Sequence, residues 1–252
     1  MIQIKNSKEI ESMKKSGAIT AAAMMAAKSV IRPGVTTMDI NRAVHEAIIA
    51  RGAVPSFLGY GGFPGSACVS INDEVIHGIP GERIVCEGDL VKVDVGAFFE
   101  GFHGDCAATF AVGSLSADAR GIMDVTRQSF YEGIKFARVG YRLSDISNAI
   151  QQYAESFGYS VVRKYIGHGV GRNLHEDPEV PNFGKPGHGP RLIPGMTLAI
   201  EPMLNIGSYD VVVMSDEWTV KTADHSLSAH YEHSVLITAG DPVLLTKWDE
   251  GI

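Results

Sequence analysis

Cysteine is sparse in this chain: it has only Cys68, Cys86 and Cys106, an odd number with no C-x-x-C spacing. That pattern excludes a disulfide framework and a cysteine-based zinc site, and it makes reduced thiols in a cytosol the expectation. Long apolar runs are also missing. No stretch approaches the ~20 apolar residues that span a bilayer, so no membrane association is expected. The opening residues, Met1 to Asn6 followed by Lys8, Glu9 and Glu11, lack the apolar segment of a secretory signal. Basic residues are in deficit, with 22 Lys and Arg against 29 Asp and Glu for a formal net charge of -7. A dedicated nucleic-acid or anionic-membrane surface needs clustered Lys and Arg, so a small or peptide-like partner fits better.

What is present is ordinary for a folded globular protein: 45% hydrophobic, 8% aromatic and 20% charged residues over 252 positions. That length allows one large domain or two intimate halves around a sizeable core. Asn6 or Ser7 can cap a helix carrying Ile10, Met13, Ile19 and an alanine-methionine run, which Arg32-Pro33-Gly34 would end. A second helix is predicted from Thr37, because Ile40, Ala43, Val44, Ala47 and Ile48 recur at helical spacing and Gly52 follows as a stop.

The chain resembles itself. Shifting Arg32–Gly52 onto Arg138–Gly158 aligns Arg32 with Arg138, Gly34 with Gly140, Asp39 with Asp145, Ile40 with Ile146, Ala43 with Ala149 and Gly52 with Gly158. At nearly the same offset Gly88-Asp89-Leu90-Val91-Lys92-Val93-Asp94 lies over Gly195-Met196-Thr197-Leu198-Ala199-Ile200-Glu201, and an acid closes both copies. A single domain over residues 1–252 is expected, with pseudo-repeats at about 7–113 and 115–245, each a helix, helix and hairpin, related by a pseudo-twofold with a shared site at their junction. The glycine- and proline-rich stretches 59–65 and 182–194 are expected to border that site.

Strand alternation places Val91, Val93, Val95, Ala97 and Phe99 on an apolar face and Asp94 on the other. If Glu100-Gly101 is a two-residue turn, Asp105 pairs with Gly96 and shares a face with Asp94; a three-residue loop or a bulge would put them on opposite faces. Crowded carboxylates repel unless one is protonated or a cation lies between them. Glu201 and Glu232 also sit in apolar strand patterns, and His168 sits in the glycine-rich Gly167–Gly171 turn. One imidazole and four carboxylates suit two divalent ions, whose four positive charges balance four negative ones. Such a pair can acidify a water and polarise a carbonyl, which brings amide hydrolysis within reach.

The stretches Gly59–Pro64, Ser70–Pro80, Asp94 with Asp105, Gly167–Arg172, His175–Pro178, Ile200–Met203 and Ser228–His233 resemble type I methionine aminopeptidases, in order and over nearly the whole chain. The resemblance implies an α+β pita-bread fold, in which two pseudo-twofold-related halves form an antiparallel sheet covered by helices around a dinuclear site. It implies that Asp94 chelates one ion, His168 and Glu201 hold the other, Asp105 and Glu232 bridge both, and Glu201 also shuttles the proton of the attacking water. His77 corresponds to the histidine that hydrogen-bonds the scissile nitrogen, and His175 to the one that stabilises the carbonyl oxygen. Phe57, Tyr60, Phe63, Cys68, Leu174 and Trp218 match the lining of the side-chain pocket. Phe57 stands where a cysteine can occur and Leu174 where a phenylalanine can. His45, His103, His188 and His225 are given no role, and His233 is expected to point away from Glu232.

The resemblance implies removal of the initiator methionine from nascent peptides whose second residue is small, by a cytoplasmic monomer that approaches the ribosome transiently. Cobalt, manganese, iron and zinc all accept the oxygen-rich ligand set. A bacterial-like minimal enzyme is expected, without an amino-terminal zinc-binding extension or a long helical insertion between His175 and Glu201. The competing readings are an X-Pro aminopeptidase or dipeptidase of the same fold, which resembles a longer chain, and a non-catalytic binding protein that should have lost ligands.

Overall fold

The structure, a computed structural model, describes residues 1–250; the last two positions of the expected 1–252 domain lie outside the described residues. The first helix, α1 (Ser7–Val30), is capped by Asn6, whose side chain accepts from the backbone of Lys8 and Glu9 while Glu9 reaches back to the Asn6 N–H. Such a cap is worth ~1 kcal/mol. The second, α2 (Thr37–Ile49), starts from a Thr36–Asp39 capping box. Ile40, Val44 and Ile48 are fully buried on its inner stripe, each stabilising by about 1.5–3 kcal/mol. Two further helices, α3 (Ala117–Ile134) and α4 (Leu143–Ser156), repeat the pairing in the second half. No helix among the described residues is long and apolar enough to cross a membrane.

The strands of the main sheet run antiparallel. Its order is Val54–Pro55, Leu90–Phe99, Phe102–Ala111, Glu232–Leu236, Thr197–Ile200, Gly167–Gly169 and Glu176–Val180, with Ala67–Ile71 added to Leu90–Phe99 and Val243–Leu244 to Glu232–Leu236. Outward from the central seam, the strands at 102–111, 90–99 and 67–71 mirror those at 232–236, 197–200 and 167–169. This is the expected α+β architecture of two similar halves, with one antiparallel sheet under four helices. One apolar core crosses the seam, joining Met24, Ile40 and Val93 to Phe130, Ile146, Leu198 and Val235.

One local expectation changes. The repeat predicts a hairpin in each half, but in the second the strands at 197–200 and 232–236 are separated by residues 201–231, which fold mainly into small sheets. The face bearing Asp94 is not solvent-facing, because these small sheets cover it: Leu90 packs on Val161, Leu204 and Ala229, and Lys92 is buried. The Lys92 ammonium donates to the carbonyls of Asn72 (2.7 Å) and Ser228 (3.0 Å), tying a first-half loop to a second-half strand.

Candidate active site

The hairpin decides the first two site residues. Glu100 (φ 49°) and Gly101 (φ 83°) form the two-residue turn. Gly96 therefore pairs with Asp105, and Asp94 pairs with Ala107. Ala107 pairs on its other side with Glu232, so Asp94, the small Ala107 and Glu232 make one row across three strands, with Asp105 one step along the same face. His233 pairs with Ile200, which brings Glu201 alongside Glu232 at the end of the next strand, and Ala199 pairs with His168. All five of these side chains line a single cavity.

Ligand atoms of Asp105, His168 and Glu232 lie within 4.8 Å of one another. His168 Nε2 is 3.6 Å from Glu201 Oε1 and 3.8 Å from Asp105 Oδ2. His168 Nδ1 bonds the Gly169 carbonyl at 2.8 Å. A carbonyl can only accept, so Nδ1 carries the proton and Nε2 keeps its lone pair toward the carboxylates, the tautomer a metal ligand needs. Burial, with the neighbouring His175, lowers the His168 pKa to about 3. Burial raises Asp94 to about 7, and burial together with the charges of the neighbouring carboxylates raises Asp105, Glu201 and Glu232 well above the ordinary carboxylate range. Asp94 Oδ1, Asp105 Oδ1 and Glu232 Oε1 are buried without hydrogen-bond partners. Orphaned acceptors, mutually repelling acids and an imidazole lone pair aimed among them together fit divalent cations.

The other side of the cavity is apolar. Phe57, Phe63, Cys68 and Leu174 are buried together with Ile79 and Trp218 packed against them, and Trp218 meets Phe63 edge-on at 5.1 Å. Tyr60 stands at the rim, nearly half exposed. The whole cavity, acids and apolar wall together, has a volume of about 140 Å³, so only a small group fits inside it. Between the acids and this pocket lie His77 and His175. Burial, with His175 nearby, lowers His77 to about 4, and burial lowers His175, so both are neutral at pH 7. His77 adopts a left-handed backbone (φ 58°). It is followed by Gly78, where a Cβ would stand 2.3 Å from the Val69 carbonyl, so the chain can press this turn into the cleft only with glycine there. The Tyr60 hydroxyl bonds His175 Nδ1 at 2.7 Å.

Every residue expected at the site lines this cavity. His45, His103 and His225 bond Ser66, Ser56 and Asp73, away from it. His233 points to the opposite face, where its ring nitrogens bond the Tyr231 and Thr246 hydroxyls. Sequence reasoning missed two residues. His230, buried, places Nε2 3.8 Å from Glu201 Oε2 with no partner, and the Asn182 amide donates to the Glu201 carbonyl at 3.0 Å. His230 lies within the Ser228–His233 motif and could have been singled out there; Asn182 opens the 182–194 stretch expected to border the site, but nothing in the sequence singles it out within that stretch.

A model of the family described as "Metallopeptidase family M24" matches residues 11–239. The chain is 52% identical to a methionine aminopeptidase of Clostridium acetobutylicum over 98% of this chain and 99% of that one. It superposes on the crystal structure of a Thermotoga maritima methionine aminopeptidase with a TM-score of 0.97 at 47% identity, covering 98% of this chain and 100% of that one. The prolidase of Pyrococcus furiosus shares the fold, with a TM-score of 0.80 at 24% identity, but this chain covers only 66% of it.

Proposed function

The chain belongs to metallopeptidase family M24, and from that premise we propose that it is a methionyl aminopeptidase that removes the amino-terminal methionine from nascent peptides whose second residue is small. One observation carries the reading: a single cavity joins the Asp94–Asp105–His168–Glu201–Glu232 cluster to a buried aromatic, thiol-bearing pocket. Methionine is flexible, and its thioether makes favourable contacts with ring edges of the kind Phe57, Phe63 and Trp218 offer.

Asp94, Asp105, His168, Glu201 and Glu232 would hold the ions, with Asp94 on one side of the cluster, His168 and Glu201 on the other, and Asp105 and Glu232 between them. The chemistry of the donors accommodates manganese, iron, cobalt or zinc. Two such ions, when bound, supply polarisation of the scissile carbonyl and a water acidic enough to attack it near neutral pH. The side chains do the rest. The apolar pocket holds the methionine thioether and fixes the reacting carbonyl beside the carboxylates. In the tautomer this role requires, Nδ1 accepts from the Tyr60 hydroxyl and the His175 proton sits on Nε2, which donates to the carbonyl oxygen as negative charge develops there. His77 bonds the scissile nitrogen. Glu201 takes the proton of the attacking water and delivers it to that nitrogen as the peptide bond breaks. The partners are peptide amino termini met in the cytosol by a monomer in transient contact with the ribosome, without specificity for nucleic acid. Three unpaired thiols accord with that compartment.

The test is release of free methionine from Met-Gly-Met-Met and from a Met-Lys peptide by metal-depleted protein titrated with Mn²⁺ or Co²⁺, beside Glu201→Ala. Metal-dependent cleavage of the first peptide only, lost in the variant, is expected. Cleavage of X-Pro peptides in its place would move the assignment to the prolidase branch of the fold.

A further inference from the structure

The strand Glu232–Leu236 changes partner along its length. One edge stays paired with Thr197–Ile200 throughout. On the other edge Glu232 and His233 pair with Ala107 and Cys106, whereas Val235 and Leu236 pair with Leu244 and Val243. Ser234 sits at the fork. Its N–H donates to Thr246 Oγ1 (3.1 Å) and its carbonyl accepts from Leu245 N–H (2.9 Å), so its backbone is committed to the C-terminal segment. Asp105, facing it across the fork, would be left with an open N–H and an open carbonyl. The Ser234 hydroxyl meets both, accepting from Asp105 N–H at 3.0 Å and donating to the Asp105 carbonyl at 2.9 Å.

The C-terminal segment is held in this gap as a wedge. Leu245 and Thr246 are buried, and α1 crosses directly above: a Cβ on Gly17 would stand 2.2 Å from the Leu245 carbonyl oxygen, and one on Gly104 would stand 2.9 Å from Gly17 Cα. Beyond the wedge, Glu250 ties the tail to Arg127, Tyr131 and Tyr231. Asp105 and Glu232 therefore sit on two strands that are laddered at Glu232–Ala107 and His233–Cys106 and are held beyond that ladder, at Asp105, by one side-chain hydroxyl.

We propose that Ser234, backed by the Leu245–Thr246 wedge, is a positioning residue that fixes the separation of Asp105 and Glu232 and so the spacing of the two ions they share. This rests on the dinuclear reading above. A direct backbone pair would draw the strands together; loss of the hydroxyl leaves two buried Asp105 groups unpaired, and the strand shifts to satisfy them. Outer groups that orient metal ligands typically change metal affinity 10–100-fold when removed.

The experiment is calorimetric titration of metal-depleted protein with Mn²⁺, with melting temperatures recorded alongside, on wild type, Ser234→Ala, Ser234→Thr and Thr246→Val. Wild type is expected to bind two Mn²⁺. Ser234→Ala and Thr246→Val are expected to weaken at least one of the two by roughly 10–100-fold, while Ser234→Thr, which keeps the hydroxyl, stays close to wild type. Unchanged affinity and stoichiometry in both Ser234→Ala and Thr246→Val overturns the spacer role, as does a Ser234→Thr variant as weak as Ser234→Ala. Should Ser234→Ala fail to fold, Thr246→Val and Ser234→Thr decide the matter by the same criteria. A wild type that takes up no Mn²⁺ removes the dinuclear reading itself, a result distinct from normal uptake in every variant.

Discussion

Removing the metal should make stability fall with rising pH, relative to the loaded protein, between about pH 5 and 7. Burial, reinforced by mutual repulsion, raises Asp94 to about 7 and holds Asp105, Glu201 and Glu232 well above the usual range. In the unfolded chain all four are ionised above about pH 5. Between about pH 5 and 7 the folded, metal-free protein therefore keeps the Asp94 proton that the unfolded chain has lost. The stability contributed by a raised carboxylate is complete below its unfolded pKa and is lost as pH climbs through the folded one. Each retained proton gives a slope of about 1.4 kcal/mol per pH unit, or about 3–6 °C in Tm for a chain of this length. Lys92 works the other way toward the top of this window, because burial lowers it to about 7 and its unfolded form binds the extra proton. That term is common to both states of loading and cancels in their difference. Differential scanning calorimetry at about pH 5, 6 and 7, in chelator and in saturating Mn²⁺, should show a Tm gap widening by about 3 °C per pH unit. A gap that stays constant or narrows would refute the reasoning, since the four carboxylates would then ionise together without compensating cations.

Three further outcomes follow from particular contacts. Tyr60→Phe removes the hydroxyl bonded to His175 Nδ1; a net bond of about 0.5–1.5 kcal/mol predicts a roughly 2–10-fold fall in kcat with KM little changed, read from steady-state kinetics at saturating metal. Lys92→Ala strips the donor from the Asn72 and Ser228 carbonyls and empties a buried site, and urea denaturation should show a loss of about 2–5 kcal/mol. Gly96→Ala places a Cβ 2.8 Å from Phe57 Cε1 and 2.7 Å from Ser56 Cβ. Phe57 must then move within the pocket, so kcat/KM for methionyl peptides should fall by more than Tm does; an unchanged kcat/KM would mean that Phe57 does not shape the pocket.

Much of this molecule could be read before it was folded, for reasons that are local. The first helix's cap, expected at Asn6 or Ser7, the second helix's start near Thr37 and the Ile40–Val44–Ile48 stripe follow from helical periodicity and capping chemistry, whereas the Thr36 cap appears only in the structure. The Asp94–Asp105 juxtaposition follows from a two-residue turn with left-handed backbone, which Glu100-Gly101 can adopt and which fixes the register of the whole hairpin. Once register is fixed, alternation decides which side chains share a face, and the offset copy ending at Glu201 points to a second carboxylate supply.

The five polar side chains were legible from alternation, turn chemistry and the offset copy, and the family resemblance supplied the two histidines and the pocket residues, but their mutual geometry was not legible. Only the tertiary structure brings His168 Nε2 within 3.6 Å of Glu201, folds residues 201–231 over the acid-bearing face and buries Lys92 there. It alone places His230 and Asn182 beside Glu201 and drives Leu245–Thr246 into the seam beside Ser234. The physical division is one of range. Periodicity, capping and turn chemistry act over a few neighbouring residues and leave their signature in the order of the chain, whereas desolvation, hydrogen bonds across a seam and the spacing between two strands depend on partners a hundred residues away.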